Sequence, residues 1–154
     1  MIRVLFVCLG NICRSPMTEA VMRDLVGKEH LSDAIEVDSA ATSAWHIGEP
    51  PHRGTLDKLR EYRISTKGMK GRQLQKIDFE QFDYIVGMDH SNIHNIHTML
   101  GNLDSTKIFR FLDLTSHRKD VPDPYYTENF QETYDLAVEG CQALLVKIKQ
   151  DMKL

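Results

Sequence analysis

The sequence predicts a single-domain α/β protein, a sandwich of helices around a parallel β-sheet. Its 154 residues suffice for one domain, spanning 1–154, whose core can fold without disulfides or metals. Segments with strand and helix patterns alternate along the chain, which is typical of a parallel sheet covered by helices. The first strand-like run leads through a short loop into a helix start, the first half of a βαβ unit.

The first predicted strand is Ile2–Val7, a continuous apolar and β-branched run that suits a strand buried on both faces. A helix is predicted after it. Ser15 and Pro16 have the residue types preferred at the N-cap and the first helical position. Glu19 lies near the positive end of this helix, and Gly27 is its predicted end.

The middle of the chain predicts further strands and helices. Ile35–Thr42 and Ile108–Leu112 are predicted strands, and the apolar run Tyr84–Met88 predicts another strand of the buried type. Leu56, Leu59 and Tyr62 are spaced for one face of a short helix. Asp89 has a residue type that caps helices, here a helix over Ser91–Leu100.

The clearest helical periodicity lies near the C-terminal end. Apolar residues there share one predicted helix face, namely Phe130, Tyr134, Ala137, Cys141, Leu144, Leu145 and Ile148. Cys141 is therefore predicted to be a core residue.

The composition argues against several classes of function. A formal net charge of -3 gives no basic footprint for nucleic acid and no polybasic membrane anchor. No stretch reaches the length of a membrane span, and the apolar opening is too short for a signal-peptide core. Three cysteines form an odd count without zinc-site spacing, which favours a reducing compartment. We expect a cytoplasmic protein, with export independent of a signal peptide as the open alternative.

The segment Cys8–Ser15 carries the clearest chemistry. Its cysteine leaves a buried strand, and Arg14 precedes a helix start. The backbone N–H groups of such a turn, together with those of the helix end, form a cradle for an anion. Gly10 and Asn11 are residue types that tolerate the left-handed backbone of a tight turn. Arg14 offers a planar fork that matches two phosphate oxygens.

The same groups favour the thiolate form of Cys8, because a helix N-terminus and a guanidinium both stabilise negative charge on a cysteine. A thiolate at the floor of an oxyanion cradle is a nucleophile for phosphorus. Ser15 can donate a hydrogen bond to the sulfur or cap the helix, and the sequence leaves this choice open. If Cys8 were only a buried hydrophobic residue, Gly10 and Asn11 would have no explanation. A nucleotide-binding loop is disfavoured because its Gly-Lys-Ser/Thr ending is absent.

The segment Val7–Pro16 resembles the active-site signature of the low-molecular-weight protein tyrosine phosphatases. The resemblance covers the whole chain, with further matches at Ser39-Ala40, Trp45, Met88-Asp89 and Asp123-Pro124-Tyr125-Tyr126. The segments Gly48–His52 and Val121–Asp123 are most similar to Gram-positive bacterial members. The family implies a three-layer sandwich with a four-stranded parallel sheet and helices on both faces. It also implies hydrolysis of protein phosphotyrosine through a phosphocysteine intermediate, with no metal and no cofactor.

A general acid is expected from another loop, because protonating the leaving phenolate lowers the barrier. The resemblance assigns this role to Asp123, which lies between Pro122 and Pro124 in a loop-like stretch. It also assigns to Asp123 the activation of the water that hydrolyses the phosphocysteine. Without the Cys8 loop, Asp123 would be interpreted as a turn residue.

The resemblance further implies a pocket with aromatic walls, deep enough that phosphoserine would be too short to reach the thiolate. Besides the catalytic Cys8, Arg14 and Asp123, the predicted substrate-binding residues are Leu9, Gly10, Asn11, Ile12, Cys13, Ser15, Trp45, Tyr125 and Tyr126. In the family the cysteine at position 13 forms a reversible disulfide that protects the nucleophile. On physical grounds alone, a simple packed thiol is the equal alternative.

Three features depart from the family pattern. Ala41 stands where many relatives have glycine, and His46 stands where many have asparagine. The stretch Ser65–Gln73 has no histidine, whereas several relatives place one there to brace the loop asparagine. The sequence therefore does not predict which residue contacts the Asn11 side chain.

Three other functions fit parts of this sequence less well. Protein arginine phosphatases share the scaffold but typically carry threonine where this chain has Ile12, so Leu9 and Ile12 favour the tyrosine-directed group. A thioredoxin-linked arsenate reductase needs two further redox cysteines close together, and only Cys141 remains. A phosphotyrosine-binding module without turnover is disfavoured by the intact catalytic trio.

His90, His94 and His97 recur at i, i+4 and i+7 and share a predicted helix face. Such spacing permits metal binding, but a solvated polar face is the preferred interpretation.

Overall fold

A computed structural model of the protein describes residues 1–101 and 105–153. Its strands are β1 at Ile2–Cys8, β2 at Ile35–Ala41, β3 at Tyr84–Gly87 and β4 at Ile108–Arg110. The strands form one sheet in the order β2-β1-β3-β4, and all neighbouring strands run parallel. The predicted α/β fold with a four-stranded parallel sheet is confirmed.

Helices lie on both faces of the sheet. Their bounds are α1 at Arg14–Lys28, α2 at Arg53–Glu61, α3 at Asp78–Gln81, α4 at His90–Leu100, α5 at Pro124–Thr127 and α6 at Phe130–Met152, with a 3₁₀ helix at Phe111–Leu114. Successive side chains of β1 point to opposite faces. Phe6 packs in one apolar cluster with residues of α1 and α6, while Leu5 packs in a second with Ile96 and Leu100 of α4. This alternation makes β1 the buried centre of a three-layer sandwich.

Two predicted helix features are confirmed. Asp89 caps α4 through a capping box, in which its side chain accepts from the backbone of Asn92 and the Asn92 side chain accepts in return. The apolar face of α6 is buried, and Cys141 on that face is fully buried.

The predicted start of the first helix is wrong. α1 begins at Arg14, with Cys13 at its N-cap and no side-chain cap bond, so Ser15 is not the cap. The Ser15 hydroxyl is engaged instead with the sulfur of Cys8, at 3.0 Å. The choice that the sequence left open is thus decided in favour of the sulfur.

Three other details of the structure differ from what the sequence predicted. β4 ends at Arg110 rather than Leu112, because Phe111 and Leu112 turn into the 3₁₀ helix and bury both side chains there. Tyr62 lies just beyond α2 and is 42% exposed, with its ring stacked on Tyr134 rather than buried on a face of α2. The short helices α3 and α5 were not predicted, since four-residue helices are below the length at which periodicity is recognisable.

The sheet order positions a site at one edge. β1 pairs with β2 on one side and with β3 on the other, both in parallel, so the direction in which successive strands are added to the sheet reverses at β1. Ligands of open parallel sheets bind beyond the carboxyl ends of the strands at such a switch point. Cys8 ends β1 there, and Asp89 follows β3 at the same edge.

Candidate active site

The loop between β1 and α1 folds around the sulfur of Cys8. The backbone N–H of Asn11 donates to Sγ at 3.3 Å. Asn11 takes the left-handed conformation, with φ of 56°, as predicted for the turn. Gly10 does not take the left-handed conformation, so that part of the prediction is wrong; a Cβ there would lie 3.1 Å from Cδ2 of His46, a tight contact that the His46 ring would have to relieve. Cys8 and Arg14 are both buried, at 3% exposure, so the cradle is an interior feature open on one side.

The Asn11 side chain orients the Ser15 hydroxyl. Nδ2 of Asn11 donates to Oγ of Ser15 at 2.7 Å and to Oγ of Ser39 at 2.9 Å. Because Oγ of Ser15 accepts from Asn11, its own proton is available for the sulfur of Cys8. A hydroxyl that donates to sulfur stabilises a thiolate.

Asn11 is braced without the histidine that several relatives use. The backbone N–H of Arg72 donates to Oδ1 of Asn11 at 3.0 Å, so all three polar positions of the amide are engaged. Ser39 in turn donates to the buried carboxylate of Glu19. Burial raises the pKa of Glu19, although the hydrogen bond from Ser39 and the charge of Arg23 oppose the shift. A continuous chain of hydrogen bonds therefore runs from Glu19 to the sulfur.

The Arg14 guanidinium is held by groups from two other loops. Nη1 donates to Asp89 at 2.6 Å and to the carbonyl oxygen of Val121 at 3.0 Å, while Nη2 lies 3.4 Å from Oδ2 of Asp123. Burial opposes the guanidinium charge, but Cys8, Asp89 and Asp123 outweigh it and raise the pKa of Arg14. The cation is therefore fixed in both charge and orientation.

Asp123 is positioned by a loop that is itself anchored. Arg110 donates to Asp120 at 3.0 Å and to the backbone carbonyl of Arg118 at 2.9 Å. The N–H of Val121 donates to the carbonyl of Met88 at 2.9 Å. At the end of this loop Asp123 caps α5, accepting from the backbone of Tyr125 at 3.0 Å.

Most of the predicted site residues share one pocket. It is lined by Cys8, Leu9, Gly10, Ile12, Cys13, Arg14, Trp45, His46, Asp123, Tyr125 and Tyr126. Asn11 and Ser15 are not among the lining residues; their side chains are buried within the loop, where they bond to each other and Ser15 contacts the sulfur of Cys8. The aromatic walls stand at the mouth, since Trp45, Tyr125 and Tyr126 are 70%, 54% and 74% exposed.

His46 lines the pocket although it was not predicted to bind substrate. Its ring bonds to Glu49 at 2.8 Å. The turn that carries it is pinned to Gly71, whose N–H donates to the carbonyl of Glu49 at 2.8 Å and whose carbonyl accepts from Gly48 at 2.8 Å. A Cβ at Gly71 would collide with the backbone oxygen of His46. This side of the mouth is therefore preorganised.

Cys8 and Cys13 share the pocket, whereas Cys141 lies in the core. All are free thiols and buried. Burial, with the charges of Asp123 and Cys8, raises the pKa of Cys13 to about 12. Burial also raises the pKa of Cys141, which lies on the core side of α6. Neither is poised to ionise at neutral pH.

The sequence did not predict which residues support the Cys8 loop and Arg14, although some signals were present. Glu19 is four residues after Ser15 and so shares its helix face. Asp89 follows β3, whose end adjoins that of β1 in a parallel sheet. No local pattern marks Ser39 or the backbone of Arg72.

Residues 1–101 and 105–153 contain no group of three or more histidine, cysteine, aspartate or glutamate side chains that could hold a metal ion. On α4, His90 and His94 are exposed and His97 is half-buried. Within the same ranges, no helix combines the length and apolar character needed to cross a membrane.

The chain matches the sequence model of one family, low molecular weight phosphotyrosine protein phosphatase, over residues 3–154. It is 50% identical over 156 residues to the low molecular weight protein-tyrosine-phosphatase YfkJ of Bacillus subtilis, covering 100% of both chains. The crystal structure of YfkJ has a TM-score of 0.95 over 98% of this chain and 96% of that one. The corresponding phosphatase PtpA of Staphylococcus aureus is 44% identical over 155 residues, covering 100% of this chain and 98% of PtpA. A Drosophila arginine phosphatase, DARP, is 33% identical with a TM-score of 0.86, covering 97% and 98% of the two chains.

Proposed function

The chain belongs to the low-molecular-weight protein tyrosine phosphatase family of enzymes, and from this premise we propose that it hydrolyses protein phosphotyrosine through a phosphocysteine at Cys8. The observation that carries this mechanism is the environment of the Cys8 sulfur. It receives the Asn11 N–H at 3.3 Å and contacts the Ser15 hydroxyl at 3.0 Å, in the loop that ends at Arg14. These donors stabilise negative charge on sulfur and on a phosphoryl group bound in front of it.

In the first step the Cys8 thiolate attacks phosphorus, an S–P bond forms, and the bond to the phenolic oxygen breaks. Nη1 of Arg14 is taken up by Asp89 and Val121, so Nε and Nη2 are the fork assigned to the phosphoryl oxygens. Asp123 donates its proton to the leaving oxygen. Oδ2 of Asp123 lies 3.4 Å from Nη2 of Arg14. The carboxyl group is therefore close to the guanidinium that would hold the phosphoryl group, which supports proton transfer to the leaving oxygen.

In the second step the Asp123 carboxylate accepts a proton from water as the water attacks phosphorus. The S–P bond breaks, phosphate leaves, and the electron pair returns to sulfur. The Ser15 hydroxyl, oriented by Asn11, stabilises the departing thiolate. The chain's own residues supply every proton transfer, and neither step calls on a metal or a cofactor.

The walls of the pocket support an aromatic substrate. Leu9, Ile12, Trp45 and Tyr125 present apolar and aromatic surface above the cradle. A phenyl ring packs favourably against such surface, whereas phosphoserine has no ring to fill it. The proposed substrates are therefore proteins and peptides that carry phosphotyrosine.

An arginine phosphatase is the alternative, because DARP shares the scaffold. A guanidinium substrate is polar and would need hydrogen-bond acceptors in the wall. Ile12 offers only apolar surface at its position, which favours phosphotyrosine.

Cys13 supports a second part of the proposal, a reversible disulfide with Cys8 after oxidation. Both cysteines line the same pocket. A peroxide would oxidise Cys8 to a sulfenic acid, and the Cys13 thiolate would then form the S–S bond as hydroxide leaves and is protonated to water. Because the raised pKa of Cys13 keeps its thiolate fraction low at neutral pH, this step should become faster as the pH rises. The location in the reducing cytoplasm stays a prediction.

The test is phosphate release from phosphotyrosine, phosphoarginine and phosphoserine peptides of one sequence, at mildly acidic pH. Wild type should act on phosphotyrosine alone, Cys8→Ser should be inactive, and Asp123→Ala should lose about 10²- to 10⁴-fold in kcat. Asp135→Ala, an exposed carboxylate on α6, is the control and should match wild type. Faster release from phosphoarginine would move the chain to the alternative, and binding without release would refute the catalytic proposal.

A further inference from the structure

We propose that His52 is a positioning residue that fixes the Tyr125 wall of the pocket relative to the phosphate-binding loop, and so helps to set affinity for aryl phosphates. This inference rests on the proposed function. His52 does not line the pocket, and it was not among the residues predicted to bind substrate. It nevertheless contacts both the phosphate-binding loop, at Ile12, and the aromatic wall, at Tyr125.

The backbone of His52 is tied to the phosphate-binding loop. Its N–H donates to the carbonyl oxygen of Ile12 at 2.7 Å. Its own carbonyl accepts from Leu56, within the first turn of α2, at 3.0 Å. The backbone of His52 is therefore held in a fixed position relative to the loop that carries Cys8.

The imidazole ring is fixed by a helix cap. Nδ1 accepts from the backbone N–H of Gly54 at 2.9 Å, which makes His52 the N-cap of α2. Because Nδ1 accepts, the proton of the neutral ring is on Nε2. The cap thus defines the direction in which the ring projects.

One face of the ring is also supported. Phe130, the first residue of α6, stacks on the imidazole at 5.1 Å between ring centroids, with the planes 20° apart. Gly54 permits this arrangement, since a Cβ there would collide with the Phe130 ring. The half-buried imidazole therefore has little freedom to move.

Tyr125 meets this fixed ring. The two centroids are 6.1 Å apart and the planes 77° apart, an edge-to-face contact. The helix that carries Tyr125 is only four residues long, and the other aromatic contact of Tyr125 is with its exposed neighbour Tyr126. His52 is thus the anchored partner against which the Tyr125 wall is placed.

Two substitutions separate this role from the helix cap. His52→Asn keeps a good capping side chain but removes the ring. His52→Phe keeps a ring between Phe130 and Tyr125 but removes the cap acceptor. Both retain the backbone hydrogen bond to Ile12, because only the side chain changes.

We expect His52→Asn to change KM and His52→Phe to change Tm. For a phosphotyrosine peptide, KM of His52→Asn should rise roughly three- to tenfold, the range of an aromatic pair. Its kcat should stay within about twofold, since a wall binds the ring alike in ground and transition states. His52→Phe should keep the wild-type KM while its Tm falls by about 2 to 4 °C from the lost cap. The exposed His94→Asn is the matched control and should change neither quantity.

Inorganic phosphate supplies the decisive second readout, because it fills the cradle without touching the Tyr125 wall. Its inhibition constant should be unchanged in His52→Asn. A wild-type KM in His52→Asn would overturn the inference, as would an inhibition constant that rises in parallel with KM. If KM merely followed Tm across both variants, His52 would be a structural residue only. Failure of the proposed function would show separately, as a wild-type protein that releases no phosphate from phosphotyrosine.

Discussion

Replacing Asn11 by glycine tests whether the buried amide orients the Ser15 hydroxyl toward the nucleophile. The Asn11 side chain makes three hydrogen bonds, with Ser15, Ser39 and the backbone of Arg72. At about 1 kcal/mol each, their loss should lower the free energy of unfolding by about 3 kcal/mol. For a chain of this length that corresponds to a Tm about 6 to 12 °C lower.

The matched variant is Asn11→Ala, which removes the same bonds but places a Cβ at a φ of 56°. Left-handed backbone should cost alanine about 1 kcal/mol more than glycine. The two variants should therefore differ in stability but not in catalysis. Urea unfolding measures the first quantity.

The catalytic effect follows from the hydrogen bond to sulfur. A hydrogen bond to a charged group contributes about 1.5 to 3 kcal/mol, which corresponds to a loss of about 10- to 100-fold in kcat when Ser15 is no longer oriented. Ser15→Ala should show the same loss, and the double variant Asn11→Gly with Ser15→Ala should be no slower than either alone. The assay is kcat for a phosphotyrosine peptide at a temperature well below each Tm. If Asn11→Gly kept wild-type kcat, or if the two substitutions were additive, the argument that Asn11 acts through Ser15 would be refuted.

Three further predictions follow from the contacts around the site. Asp89→Asn keeps a capping side chain but removes a charge that compensates the buried Arg14, so kcat should fall about tenfold and Tm should also fall, and unchanged kinetics would contradict this. A raised pKa means that ionised Glu19 destabilises the fold at neutral pH and that this cost vanishes below the unfolded-state pKa, near 4.3. Glu19→Gln should therefore gain in Tm relative to wild type at about pH 7 and lose that gain toward about pH 3.5; the opposite trend would refute the sign. Because Cys13 has a pKa of about 12, limiting iodoacetamide at neutral pH should alkylate Cys8 first in peptide mass spectrometry, and earlier labelling of Cys13 would exclude this assignment.

The loop Cys8–Ser15 was predictable because its signals are local. A buried strand, a tight turn and a helix start succeed one another between Ile2 and Pro16, and each depends on residues a few positions apart. The buried face of α6 was predictable for the same reason, since one helical period links Ala137, Cys141 and Leu144. Asp123 was found through the family resemblance, because an aspartate between prolines has no functional signature of its own.

Boundaries and competing roles were less predictable. The residue types at Ser15 and Pro16 fit a helix start, yet the helix begins at Arg14 and Ser15 serves the sulfur. A hydroxyl satisfies a cap or a distant partner equally well, so local propensity does not decide between them. β4 also ends earlier than predicted, because Phe111 and Leu112 turn into a 3₁₀ helix that buries both side chains in the core.

The sequence by itself determined the α/β fold, the order of its main elements and most of the residues that line the pocket. Only the tertiary structure decided what supports them. Asn11 meets Ser39 and Arg72 across 28 and 61 residues, and Arg14 meets Asp89 across 75. Such pairs form because parallel strands bring their carboxyl ends to one edge of the sheet, whichever residues happen to follow them. Strand pairing and burial choose these partners, and a pattern read along a single chain contains neither.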